Sequence, residues 1–181
     1  MTYGYFIKVP LTHQATNYTC GAAALQSVLY YYGVQMREKK VADSLDSNPA
    51  VGTEYQNIAD LAAKLGFRVE IKLAMSEEAL QEYISREIPV IILIQAWAAK
   101  QVNYQNHWGD EHYVVAVGFD EGNYYFMDPY TLGHYTYFPR SELLKRWHGK
   151  QGAQEVGRLG LVFFPGNLTG SYNPQEILRL E

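Results

Sequence analysis

Reading apolar against polar positions from the N-terminus, the first sustained signal is CGAAALQSVLYYY, residues 20–32. Ala22, Ala23, Ala24, Leu25, Val28 and Leu29 leave it little polar surface. A helix apolar nearly all round is buried in the middle of a domain. Thr19 is placed to cap its start, and Gly33 stands where a left-handed residue ends a helix. The preceding residues, 1 to 19, read as extended and then irregular around Pro10. A polar stretch over 37–52 follows, with a short helix near Val41–Leu45. Thr53 with Gln56 gives a capping-box pattern, and Ile58, Leu61, Ala62 and Leu65 form the apolar stripe of a second long helix ending at Gly66.

Further on the period changes. FRVEIKL (67–73) reads as a strand. Ser76 opens a helix with Glu77 and Glu78 in its first turn, matching the helix dipole, and Pro89 stops it. Val90–Ile94 is an unbroken run of β-branched residues and leucine, which predicts a central strand buried on both faces. Residues 95–111 read as a surface loop. HYVVAVGF (112–119) and NYYFMD (123–128) predict a hairpin turning at Asp120-Glu121-Gly122. HYTYF (134–138) and LGLVFF (159–164) are further strands, with a short helix capped by Ser141 between them. The tail over 165–181 is loop-like with one terminal turn. Helices first and an antiparallel sheet afterwards give an α+β class in a single domain over 1–181.

Composition narrows the function. A hydrophobic fraction of 48% over 181 residues supplies a real core. The net charge of −4, without a basic cluster, argues against nucleic acid as a partner. No stretch approaches the roughly 20 apolar residues of a membrane span. The N-terminus lacks the features of a signal peptide. One cysteine forms no internal disulfide, so a cytoplasmic setting is expected. Tyrosine is frequent at 16, which suits either sheet surfaces or an aromatic groove for an extended ligand.

That one cysteine, Cys20, opens the apolar helix. A lone buried cysteine is most often a small hydrophobe. At a helix N-terminus, however, unpaired N–H groups and the dipole favour the thiolate. A cysteine nucleophile needs a base, an orienter for that base and donors for an oxyanion. The chain offers one candidate for each. His112 starts a strand, Asp128 ends the next strand of the same hairpin, and Gln14 lies in the loop leading to Cys20. Gln14 could present its amide N–H beside the backbone N–H of Cys20. Side-chain alternation sets a condition. A two-residue turn at Glu121-Gly122 would pair Val115 with Asp128 and put Asp128 on the face opposite His112. The constellation therefore requires an odd-length loop or a bulge in the hairpin.

These residues carry a resemblance. Gln14 followed by Cys20-Gly21 at the head of an Ala-rich helix ending in Tyr-Gly, then His112-Tyr-Val-Val-Ala-Val-Gly, then Asp128-Pro129, resembles the papain-like double-glycine peptidases. That family trims bacteriocin leaders and usually sits at the N-terminus of an ABC exporter; no transporter domain follows in these residues. The resemblance runs from about Gln14 to Trp147. It implies a papain-like fold, Cys20 as nucleophile, His112 as general base and acid, Asp128 as its orienter and Gln14 in the oxyanion hole, acting on a peptide or protein substrate through a thioester. An amidase or acyl transferase on the same triad, or a catalytically silent peptide-binding module, remain open.

No cofactor is expected, and no metal. His107, Asp110, Glu111 and His112 are dense, but HWGDEH misses the zinc spacings HxxEH and HExxH, and Gly109 opposes a helix there. His13, close to Cys20 in sequence, could line the site.

Overall fold

The computed structural model describes residues 4–168, 170–177 and 179. In chain order the elements are β1 (Tyr5–Phe6), α1 (Cys20–Tyr31), α2 (Glu38–Ser44), α3 (Tyr55–Lys64), β2 (Phe67–Lys72), α4 (Glu77–Ser85), β3 (Val90–Gln95), β4 (Glu111–Phe119), β5 (Asn123–Met127), β6 (Tyr135–Pro139), α5 (Leu143–Arg146), β7 (His148–Gln151), β8 (Gln154–Gly157) and β9 (Gly160–Pro165). The large sheet has the order β2-β9-β3-β4-β5-β6, and β1 adds to β4. Every pairing in it is antiparallel.

The unbroken apolar run after Pro89 becomes β3, whose six residues are all buried. It lies between β4 and β9, as a strand covered on both faces must. Helix α1 packs against β4, α2 and α3. Ala22, Ala23, Ala24, Leu25, Val28 and Leu29 are wholly buried, so alanine here permits close approach. Its end is a full Schellman closure. Val34 N–H donates to Leu29 O (2.8 Å) and Gly33 N–H to Tyr30 O (3.0 Å), with Gly33 at φ 81°. The tail crosses this end, where Tyr172 N–H donates to Tyr31 O (3.0 Å). A Cβ on Gly33 would sit 2.5 Å from the Cα of Gly170. The tail makes a turn at Asn173–Glu176; the first three residues and the chain end, including Leu180 and Glu181, lie outside the described residues.

Helix starts follow the sequence less closely. Ser76 caps α4 as expected, accepting from Ala79 N (3.1 Å). Thr19 precedes α1 but makes no capping bond; its Oγ1 accepts from Thr16 N (3.2 Å) and shapes the approach loop. The capping box at Thr53 does not form. Its hydroxyl pairs with that of Ser47 (2.7 Å), and Glu54 precedes α3 instead. Gln151 does the capping work from far away, its Oε1 accepting from Tyr55 N (2.9 Å). Ser141 lies inside a 3-10 turn, Arg140–Glu142, and does not cap α5. Strands β7 and β8 form a small separate hairpin with no apolar alternation to announce it.

The β4–β5 hairpin meets the condition set by alternation. Asp120 N–H donates to Asn123 O (3.0 Å), so the turn is the two-residue Glu121-Gly122. Phe119 pairs with Tyr124 and Gly118 with Tyr125, but Ala116 pairs with Phe126 and Val115 with Met127. Val117 is the extra residue of a β-bulge. The carbonyl of Val117 accepts from Ile7 N (2.7 Å), where the edge of β4 passes from β3 to β1. Gly118 lets β1 approach; a Cβ there would lie 2.7 Å from Tyr5 O. Beyond the bulge, Asp128 falls opposite Val114, on the face shared with His112.

Candidate active site

Cys20 is the first residue of α1 and is 9% exposed. It lines a cavity of about 680 Å³ together with Gln14 and His112. The sulfur is therefore shielded yet reachable. His112, the second residue of β4, is buried. Its Nε2 pairs with Asp128 Oδ1 at 2.7 Å. That leaves Nδ1 for Cys20, the second group whose hydrogen bonding and charge act on the ring.

The electrostatics favour an ion pair. Burial alone pushes the Cys20 thiol up. The hydrogen bond and positive charge of His112, with backbone N–H groups of Tyr113 and Gly21, outweigh it and hold the thiol below its ordinary value. Burial alone pushes His112 down. The hydrogen bonds and charges of Asp128 and Cys20 more than reverse that, and His112 is raised to about 9. The two groups titrate as a pair, and both directions favour thiolate beside imidazolium.

Asp128 is buried too, and burial pushes it up. The His112 bond and charge overcome this and hold the carboxyl below the usual carboxylate range. Its two oxygens are filled with donors. Oδ1 also accepts from Tyr130 N (2.9 Å), and Oδ2 accepts from Trp97 Nε1 (3.1 Å) and Thr131 Oγ1 (3.4 Å). Trp97, Tyr130 and Thr131 were not among the residues singled out from sequence. The available signal was modest: bulky aromatics in irregular segments beside the two strands that carry His112 and Asp128. Trp97 has a positive φ of 60° and its ring lies 4.7 Å from that of Tyr130, so the turn aims its N–H at the carboxylate.

Gln14 sits in the loop before α1, tied down by its backbone N–H to Pro129 O (3.0 Å). Its Nε2 donates to Thr16 O (2.8 Å), which uses one of two N–H donors and leaves the second. Its Oε1 is buried without a hydrogen-bond partner. The structure thus brings Cys20, His112, Asp128 and Gln14 together. His13 is exposed and does not line the cavity. His107 pairs with Asp110 instead of joining His112. Among the described residues, no group of three or more His, Cys, Asp or Glu side chains is arranged to hold a metal ion.

Comparison with known proteins decides the family. Residues 6–154 match the Peptidase_C39 like family. The chain belongs to it. As a C39-like protein it has solved structural neighbours of the same papain-like fold. One is a putative C39-like peptidase from Bacillus anthracis, with TM-score 0.68 and 19% identity over 88% of this chain and 97% of that one. A second is the peptidase domain of Streptococcus ComA, a bi-functional ABC transporter involved in quorum sensing, with TM-score 0.64 and 22% identity over 87% and 98%. A third is a double glycine motif protease from an AMS/PCAT transporter in complex with the leader peptide, with TM-score 0.61 and 22% identity over 90% and 95%. No curated protein sequence matches the chain. Among the described residues, no helix is long and apolar enough to cross a membrane.

Proposed function

We propose that this C39-like chain, acting as one papain-like unit in the cytoplasm, is a cysteine peptidase that cleaves peptide bonds through a thioester. Cys20 is the nucleophile, His112 the general base and acid, Asp128 the group that orients the imidazole, and Gln14 an oxyanion donor. The observation that supports this most is the bond from Asp128 to His112, together with the electrostatic pairing of His112 with Cys20, at the wall of one cavity. The neighbour crystallised with a leader peptide supports a peptide as the substrate class.

In the first half-reaction the Cys20 thiolate attacks the scissile carbonyl carbon, forming the C–S bond. The carbonyl electrons move to oxygen. That oxyanion is met by the backbone N–H of Cys20 and the remaining N–H of Gln14 Nε2. The His112 imidazolium gives its Nδ1 proton to the leaving nitrogen, the C–N bond breaks and an amine departs. Neutral His112 then takes a proton from water, whose oxygen attacks the thioester. Breaking the C–S bond restores the thiolate, and the proton stays on His112. One oxyanion donor is worth roughly 3–4 kcal/mol, and positioned acid–base catalysis about 10²–10⁴-fold.

The test is mass-spectrometric profiling of a proteome-derived peptide pool with wild type and Cys20→Ala. New termini in the wild-type digest alone are the expected result. Products joined to an added amine would instead mark acyl transfer. Identical pools from the two proteins would contradict the peptidase reading and favour a silent binding module.

A further inference from the structure

Among the described residues, two buried side-chain polar atoms have no hydrogen-bond partner, Gln14 Oε1 and Glu111 Oε1. Both belong to residues that line the Cys20 cavity. Buried acceptors are normally satisfied, and an ionised one is costly to leave without a donor. Two such acceptors on the walls of one cavity call for N–H donors brought by a ligand.

Glu111 is the more telling of the two. It directly precedes His112 on β4, so its side chain leaves the strand on the opposite face, beside Leu93 and Gly149 on the cavity wall. The stem is fixed by close packing. A Cβ on Gly149 of β7 would lie 3.0 Å from Glu111 Cγ and 2.7 Å from Leu93 Cδ2, so only glycine there leaves Glu111 its place. Other charges near the cavity do not neutralise it. Asp110, the second carboxylate on the wall, is engaged by His107. His112, the nearest cation in sequence, is engaged by Asp128, and Lys150, the one lysine or arginine lining the cavity among the described residues, makes no ion pair and lies with its Nζ 5.7 Å from the Trp108 ring centroid. A half-buried carboxylate and an acceptor amide on the walls of one cavity together suit a cation that donates N–H bonds.

We propose that Glu111 makes the cleft selective for peptides that carry a cationic N–H donor, either a lysine or arginine side chain or a free amino terminus. The ammonium or guanidinium would bond Glu111 Oε1. This selectivity rests on the peptidase reading for its consequence in cleavage, but binding can be read separately.

The test uses the full chain with Cys20→Ala and short peptides labelled at the C-terminus, with lysine scanned through the sequence. Each peptide is compared with forms acetylated on the side-chain amine or on the amino terminus, and affinities are read by fluorescence anisotropy. At one position the cationic peptide should bind on the order of tenfold or more tightly than its acetylated form. Adding Glu111→Gln should erase that difference and leave neutral peptides unchanged. The acetylation that removes binding identifies which amine is read. Indifference to both acetylations, a preference that survives Glu111→Gln, or no binding of any peptide would each overturn the proposal. The acetylation series needs only the Cys20→Ala chain, so an ill-folded Glu111→Gln variant would not protect the idea. Wild type that cleaves cationic and neutral peptides alike would sink this selectivity while keeping the peptidase. A chain that binds cationic peptides through Glu111 and cleaves none would do the reverse.

Discussion

Asp128 Oδ1 and His112 Nε2 stand 2.7 Å apart because β4 carries one residue more than its partner strand. Without the bulge at Val117, the two-residue turn at Glu121-Gly122 would aim Asp128 at the opposite face. The irregularity is thus tied to the His112–Asp128 pair.

The pair gives a prediction with a sign. His112 is raised to about 9, against burial, chiefly by its bond to Asp128 and its contact with Cys20. In the proposed mechanism imidazolium protonates the leaving nitrogen, so kcat/KM should fall as pH rises through about 9. Asp128→Asn removes the charge that raises His112, so the alkaline limb should move to lower pH. The same change should lower kcat by on the order of 10²–10⁴-fold, because the ring loses its orienting partner. An unmoved alkaline limb in the pH–rate profile would remove Asp128 from the account.

Gln14→Ala tests the proposed oxyanion donor. The loss should fall on kcat by about 10²–10³-fold with KM little changed, since the interaction strengthens only as charge develops on the carbonyl oxygen. Steady-state kinetics on any cleaved peptide separates the two constants. A change confined to KM would make Gln14 a ground-state binding residue.

Trp97→Phe keeps an aromatic ring against Tyr130 and deletes the N–H that Asp128 Oδ2 accepts. Trp97 is 49% exposed, so water replaces part of the loss. A several-fold drop in kcat is expected, with the alkaline limb shifted slightly down and folding unchanged by circular dichroism. Equal activity across the pH range would make Trp97 a surface residue that only happens to touch the carboxylate.

Packing under Cys20 gives a stability prediction. A Cβ on Gly21 would lie 2.8 Å from Thr53 Cβ and Cγ2 and 3.1 Å from Tyr113 Cδ2. Gly21→Ala should therefore cost about 1–3 kcal/mol by overpacking. It should also lower activity, because the strain falls on the residue after Cys20. Urea denaturation measures the first effect and single-turnover acylation the second.

What was legible in the sequence follows from burial. Helix α1, strand β3 and the β4–β5 hairpin are set by runs of apolar residues whose period leaves one arrangement. The bulge was legible as a requirement, because alternation forced it once His112 and Asp128 were taken as partners. Caps were less legible. The hydroxyls of Thr19 and Thr53 are taken by Thr16 and Ser47, and only the folded chain brings Gln151 to the start of α3. The β7–β8 hairpin was missed because HGKQ and QEVG contain one valine between them. Trp97 was missed because its role depends on a positive φ in a loop with no periodic signal.

The central claim is that His112 makes Cys20 a thiolate, and alkylation measures it directly. Cys20 is the only cysteine, so iodoacetamide uptake reports on one sulfur. In the wild type the rate should hold well below the ordinary thiol pKa of about 8.5. In His112→Ala that reactivity should vanish and return only as pH approaches the ordinary value. Wild type and His112→Ala tracing the same curve, both with the midpoint of an ordinary thiol, would contradict the account.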